Sequence, residues 1–182
     1  MAPFDTVRAT PEEAARPLPG DSLLPDADVV MDRAFSLPAP PDLVWPWLVQ
    51  LGKRRAGWYL PRRVERAVPP SRRALRRVEP RWQRLQVGDV VPDYGGRHET
   101  FTVARLEAPE HLVYTSTRGH TEVSWAIVLT PYDAQGAAST RVQLRLRLHP
   151  VRRTWLAHGV GEPFDALTVA GMAAGLAERL RA

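Results

Sequence analysis

The stretch GEPFDALTVAGMAAGLAERLRA, Gly161 to Ala182, decides the fold. From Glu162 onward it reads as one long helix. Pro163 suits the first helical position, where a missing N–H costs little. Arg179 and Arg181 sit in the last turn, where positive charge is favoured. No charged residue stands between Ala166 and Ala177. Phe164, Leu167, Ala170 and Ala174 make one apolar row at helical spacing, and Val169, Ala173, Leu176 and Leu180 make another. A helix apolar on most of its faces is expected to be buried on most of them. Its uncharged core of about 12 residues is too short for a membrane span, which needs roughly 20. The rest of the chain is therefore expected to wrap this helix.

The preceding residues supply a sheet for that purpose. Val29 to Leu37 reads as a first strand, ended by Pro38, Pro40 and Pro41. Asp42 to Leu51 reads as a short helix with Leu43, Trp47 and Leu51 on one face, interrupted by Pro46 and stopped by Gly52. A second short helix is expected over Leu60 to Ala67, closed by Pro69 and Pro70. Ser71 to Gln86 is the least regular part, although Arg72, Arg73, Arg76 and Arg77 would share one face of a helix. From Val87 the period becomes two. Strands are expected over Gly88–Pro92, Glu99–Leu106, Leu112–Thr117, Glu122–Thr130 and Arg141–His149, with a loop from Asp133 to Ser139. In the last strand Val142, Leu144, Leu146 and Leu148 point inward, while Arg141, Gln143, Arg145 and Arg147 point outward. Short gaps make these strands antiparallel. A flat sheet cannot grip one helix, so the sheet must curve.

Before the first strand, Met1 to Asp28 forms a proline-rich extension, expected to lie over the surface or stay partly disordered. A short helix at Pro11–Ala15 is possible there, since Thr10 and Glu13 have capping-box spacing. The remaining residues, 29–182, make one domain large enough for a sizeable core. The chain has no cysteine, which excludes disulfides, thiolate metal sites and cysteine nucleophiles. Nothing at the N-terminus resembles a secretory signal, and the expected location is the cytoplasm.

The net charge of +5 is unevenly placed. Lys53 to Arg84 carries 12 basic residues against Glu65 and Glu79. This run reads as a solvated face, as an anion-recognising rim, or as a surface for weak membrane contact. Its interruption by Pro61, Pro69, Pro70 and Pro80, with no reading motif, argues against a specific nucleic-acid partner.

The element order, with the runs PAPPDLVWPWLVQLG (Pro38–Gly52), AGWY (Ala56–Tyr59), VGDVVP (Val87–Pro92), FTVARLEAPEHLVY (Phe101–Tyr114) and SWAIVLTP (Ser124–Pro131), resembles the START-like, helix-grip superfamily. That superfamily includes the birch-pollen allergens and the bacterial polyketide cyclase/dehydrase proteins (SRPBCC). The resemblance implies an α+β fold, with a curved antiparallel sheet of about six strands around the C-terminal helix and short helices after the first strand. It also implies an apolar cavity between sheet and helix for a small hydrophobic molecule, lipid- or polyketide-like. It carries over no catalytic residue.

The residues expected to line that cavity are Trp58, Tyr59, Trp82, Tyr94, Phe101, Tyr114 and Trp125, with Gly171, Met172, Ala174 and Leu176 from the helix. Each aromatic can equally be ordinary core. Gly171 and Gly175 each cost about 0.5–1 kcal/mol inside a helix relative to alanine. Close backbone packing would explain them, and so would room for a ligand. Asp165 reads either as a favourable first-turn acid or as a buried anchor.

The best acid–base cluster is His98 and Glu99 beside Asp93 and Tyr94, next to the Gly95-Gly96 turn. If the chain is an enzyme of the cyclase/dehydratase type, these residues or Tyr114 would move protons and Arg97 could steady an enolate. Among His98, His111, His120, His149 and His158 no pair has metal-ligand spacing, so neither metal nor cofactor is expected. Gly95-Gly96 lacks the spacing of a phosphate loop, and no serine elbow is present. Three readings remain open: a binder of a hydrophobic molecule, a cyclase-like enzyme, and an interaction protein using the arginine-rich face from Arg54 to Arg84.

Overall fold

Alternating side chains build a sheet only when turns return the strand to its neighbour. The computed structural model describes residues 7–151 and 161–181 and shows those turns closing six strands. They are β1 (Val29–Leu37), β2 (Val90–Pro92), β3 (Thr100–Glu107), β4 (His111–Arg118), β5 (Thr121–Ala134) and β6 (Ala137–His149). The helices are α1 (Pro11–Ala15), α2 (Pro41–Val49), α3 (Arg62–Glu65) and α4 (Glu162–Leu180). The sheet order is β1-β6-β5-β4-β3-β2, with every pair antiparallel. This is the helix-grip fold: one curved antiparallel sheet packed on a long C-terminal helix.

Phe35, Val142, Leu144, Ile127, Leu129, Leu112 and Val103 fill the inner face of the sheet. Val169, Met172 and Leu176 of α4 complete the core against them. The helix is less enclosed than its composition predicts. Phe164 is 68% exposed, Leu167 is 56% exposed and Ala174 faces solvent. The sheet and the backbone near Leu60 cover only one side, so Phe164, Leu167 and Ala174 of that row stay outside while Ala170 packs on the core. On α2 the buried row is Val44, Trp47 and Leu48, and Leu43 points out at 60% exposure.

The 133–139 segment is not a loop. β5 runs to Ala134 and β6 starts at Ala137, joined by Gln135 (φ 57°) and Gly136 (φ 86°). Two successive positive φ angles match the turn that twists with its strands. The Ser71–Gln86 stretch contains two single 3₁₀ turns, Pro70–Arg72 and Pro80–Trp82, each opened by a proline that a longer helix would not tolerate inside.

The outward arginines of β6 do not face water. Residues 7–28 lie across them. Thr10 and Glu13 form the expected capping box on α1. Arg145 reaches the carboxylates of Asp32 at 2.9 Å and Asp21 at 2.8 Å, and donates to the carbonyls of Glu13, Ala14 and Arg16. Arg141 pairs with Glu13 at 2.7 Å. Gln143 is 1% exposed and Arg145 4%, so both faces of β6 are dry at its centre. Farther along, Arg8 forms an isolated antiparallel bridge with Arg33 on the free edge of β1.

Gly175 shows why α4 needs small residues. A Cβ there would lie 2.7 Å from backbone atoms of Tyr59 and Leu60, and one on Gly171 would lie 2.8 Å from the Leu60 side chain. Backbone atoms cannot step aside as a side-chain tip can. Gly175→Ala is therefore expected to destabilise by about 1–3 kcal/mol through overpacking, despite the helix-propensity gain of roughly 0.5–1 kcal/mol. Urea denaturation measures the sign, and a stabilised variant would show that this contact is not tight.

Candidate functional site

Three neighbouring strands each aim one ring at the inner space. Phe101 of β3, Tyr114 of β4 and Trp125 of β5 have centroids 5.5–5.8 Å apart, and Tyr114 and Trp125 are direct cross-strand partners. Trp58, in the segment before α3, stacks on Trp125 at 6.4 Å. Its indole N–H donates to the Thr168 carbonyl of α4 at 3.1 Å, which bonds this segment to the helix. Tyr94 and Trp58 form a T-shaped pair at 6.1 Å. These offset and edge-on arrangements suit the ring quadrupoles. Together they make an aromatic box between sheet and helix.

A tethered turn closes one end of the box. Lys53 donates to the carbonyls of Asp93 at 3.0 Å and Gly96 at 2.5 Å. Arg118 pairs with the Asp93 carboxylate, and its guanidinium lies over Phe101 at 5.3 Å. Tyr94 rides on this turn and is 52% exposed, while Trp58 and Trp125 are half-buried. Burial pushes the Tyr114 hydroxyl well above the ordinary phenol range, so it stays protonated.

The other expected lining residues are placed elsewhere. Tyr59 is fully buried beneath α4, where its hydroxyl donates to the Trp47 carbonyl at 2.8 Å and accepts from Gln50 at 3.1 Å. Trp82 lies between the guanidiniums of Arg55 and Arg81, at 4.7 and 4.8 Å. Met172 and Leu176 are core, Gly171 faces Leu60, and Ala174 is exposed. Arg97 and His98 are exposed and Glu99 is half-buried on the tethered turn, with no hydrogen bond or ion pair joining His98 to Glu99 among the described residues. His158 lies outside the described residues.

Lys53 and Arg118 are the site residues that sequence reasoning missed, while Asp93, expected only as a neighbour of the acid–base cluster, instead pairs with Arg118. Lys53 is the chain's lone lysine, and that rarity is the one signal it offered. Asp165 is paired with Arg33 at 3.0 Å, and burial raises its carboxyl above the usual range despite that partner. Glu107, Glu110 and His111, around the β3–β4 turn, bring donor atoms within 4.8 Å of one another, with both glutamates exposed. Two cavities lie apart from the box. One, of about 420 Å³, runs along Thr102, Thr115 and Ser124 beside Leu24; the other, of about 370 Å³, lies beside α3. Among the described residues no helix is long and apolar enough to cross a membrane.

Trp125 shares its face with Val123, Ile127 and Leu129, as the alternation predicts. Because it is half-buried, Trp125→Ala is expected to cost about 2–3 kcal/mol, below the roughly 3–5 kcal/mol of a fully enclosed tryptophan. A loss under about 1 kcal/mol in chemical denaturation, the scatter of surface changes, would mean that the box contributes little to the fold.

No family model matches the chain, and no curated protein matches it in sequence. Among solved structures it is similar to CalU16 from Micromonospora echinospora, with 15% identity, 84% of this chain and 83% of that one covered, and a TM-score of 0.44. It is also similar to DynU16, a protein of the dynemicin biosynthetic locus, with 18% identity and a TM-score of 0.47 over 85% of this chain and 48% of that one. The chain thus spans about half the length of DynU16. A protein from Arthrobacter aurescens has 16% identity, 82% and 86% coverage, and a TM-score of 0.49. At these identities the likeness concerns the fold alone.

Proposed function

We propose that residues 29–182 bind a small hydrophobic molecule, ring-containing and largely uncharged, in the aromatic box between the inner sheet face and α4. One observation carries this reading: five aromatic side chains from β3, β4, β5, the Trp58 segment and the tethered turn meet at one place. Aromatic and apolar lining with a few fixed polar groups is what small-molecule sites use. Three of these rings keep part of their surface open to solvent. The rings now touch one another, so a ligand would enter by displacing the more exposed Tyr94 and stacking against Trp58. The Arg97–His98 end of the turn points outward, which favours binding over acid–base chemistry. Tyr114 would then serve as a hydrogen-bond donor to a ligand oxygen.

The test is titration with an environment-sensitive hydrophobic dye. Saturable binding is expected for the wild type, weakened about tenfold in Trp58→Leu, given that one aromatic pair contributes about 0.5–1.5 kcal/mol beyond its buried area. Trp82→Leu removes a tryptophan outside the box and should bind the dye as the wild type does. No dye binding in the wild type, or equal loss in both variants, would sink the reading.

A further inference from the structure

The cavity beside α3 goes beyond this reading. It is lined by Arg62, Glu65, Arg66, Arg73, Ala74 and Arg76, and holds about 370 Å³. Four guanidinium groups thus face one concave space with one carboxylate. That carboxylate is already engaged. Glu65 accepts from Arg76 at 2.8 and 3.1 Å and from the fully buried Arg179 side chain at 2.6 Å. Glu178 reaches Arg76 as well, at 3.5 Å, yet with Arg179 counted the arginines around the cradle still outnumber these two carboxylates.

Its walls are built rather than incidental. Ala74 sits so close to Gly57 that a Cβ there would lie 2.9 Å from the Ala74 Cα, and the Leu75 amide donates to the Ala56 carbonyl at 2.8 Å. The Arg62 amide is held by Glu178 at 2.8 Å, which sets α3 against α4. Arg73 is oriented by the carbonyls of Val68 at 2.8 Å and Arg66 at 3.3 Å. Among the described residues, the guanidiniums of Arg62 and Arg66 have no hydrogen-bond or ion-pair partner. Like charges gathered on a fixed scaffold repel one another until an anion neutralises them.

We infer that this cradle binds a phosphoryl group. Guanidinium forks match phosphate oxygens two at a time, and several arginines suit a group with more than one charge better than a single carboxylate. The source is either a free phosphate-bearing small molecule or a lipid headgroup, and the two separate by experiment.

Inorganic phosphate and vesicles of phosphatidylcholine doped with phosphatidic acid are each titrated against the full chain. The exposed double variant Arg62→Gln/Arg66→Gln is compared with Arg54→Gln/Arg84→Gln, which removes the same charge from the same basic run outside the cradle. Saturable binding to either probe is expected, reduced about tenfold or more in the cradle variant through loss of charge-assisted hydrogen bonds and little changed in the other. Binding to inorganic phosphate identifies the free source; binding to vesicles alone identifies the headgroup. Whichever probe binds should also raise the melting temperature of wild type but not of the cradle variant, which separates lost binding from lost folding. Binding to neither probe, or equal loss in both double variants, would overturn the inference.

Discussion

Glu65→Ala is expected to unfold the chain more readily by about 3–5 kcal/mol, the range for breaking a buried ion pair from one side. Glu65 is 4% exposed and holds Arg179, whose side chain is fully enclosed, together with Arg76. Removing the carboxylate leaves the Arg179 guanidinium without its counter-charge. Its remaining bonds run to the carbonyls of Leu60, Leu75 and Gly175, which carry no net charge. Guanidinium cannot shed its proton to escape, so the full cost falls on the folded state. Replacing both partners, Glu65→Leu with Arg179→Met, should recover much of the loss. Guanidinium-chloride denaturation of the single and double variants measures this, and a single variant within about 1 kcal/mol of wild type, the usual surface range, would show that the pair is not buried in solution.

Arg145→Ala should cost about 3 kcal/mol or more, again because buried partners are left unpaired. Here Asp32, at 12% side-chain exposure, loses its cation. The carbonyls of Ala14 and Arg16 lose their donor as well, and that of Glu13 keeps only Gln143. The second consequence is local: residues 7–28 should detach first and become sensitive to protease while the sheet stays folded. Arg145→Lys keeps the charge but loses the fork that reaches several acceptors at once, and should rescue little. Acid should act on a second contact of the same extension, Arg141 with Glu13. The hydrogen bond from Arg141 holds the Glu13 carboxyl below its usual range. A depressed folded pKa gives stability that is present above the unfolded value and lost as pH falls through the folded one. Limited proteolysis as a function of pH tests both points; an extension equally resistant in Arg145→Ala would refute the clamp.

Much of the fold is legible in local patterns. The alternation of Val142 and Leu144 with Gln143 and Arg145 places β6, and Thr10 with Glu13 places α1. What the pattern cannot distinguish is an arginine facing water from one facing carbonyls. The extension that covers Arg145 comes from more than 100 residues away in sequence. The aromatic box divides in the same way. Phe101, Tyr114 and Trp125 follow from strand period, since inward residues of adjacent strands must meet. Trp58 and Tyr59 are neighbours in a segment with no period, and one enters the box while the other is buried under α4. Trp82 ends a single 3₁₀ turn in a stretch that carries no register at all. The small residues of α4 show the limit most directly: Gly175 meets the backbone of Tyr59 and Leu60, a contact that nothing within the helix announces.

The free margins of the sheet bear on how the chain behaves at high concentration. An open strand margin is a template for another chain, and long, flat, apolar ones seed aggregates. Here the outermost strands are β1 and β2. β2 is only three residues long and ends in Pro92, which has no N–H to offer a newcomer. Beyond β1, the Arg8 bridge to Arg33 occupies backbone positions that an incoming strand would need. The N-terminal extension is thus more than a cover for one face. Without it the chain would present nine residues of unprotected β1 to its own copies, and self-association rather than unfolding would be the first sign of its loss.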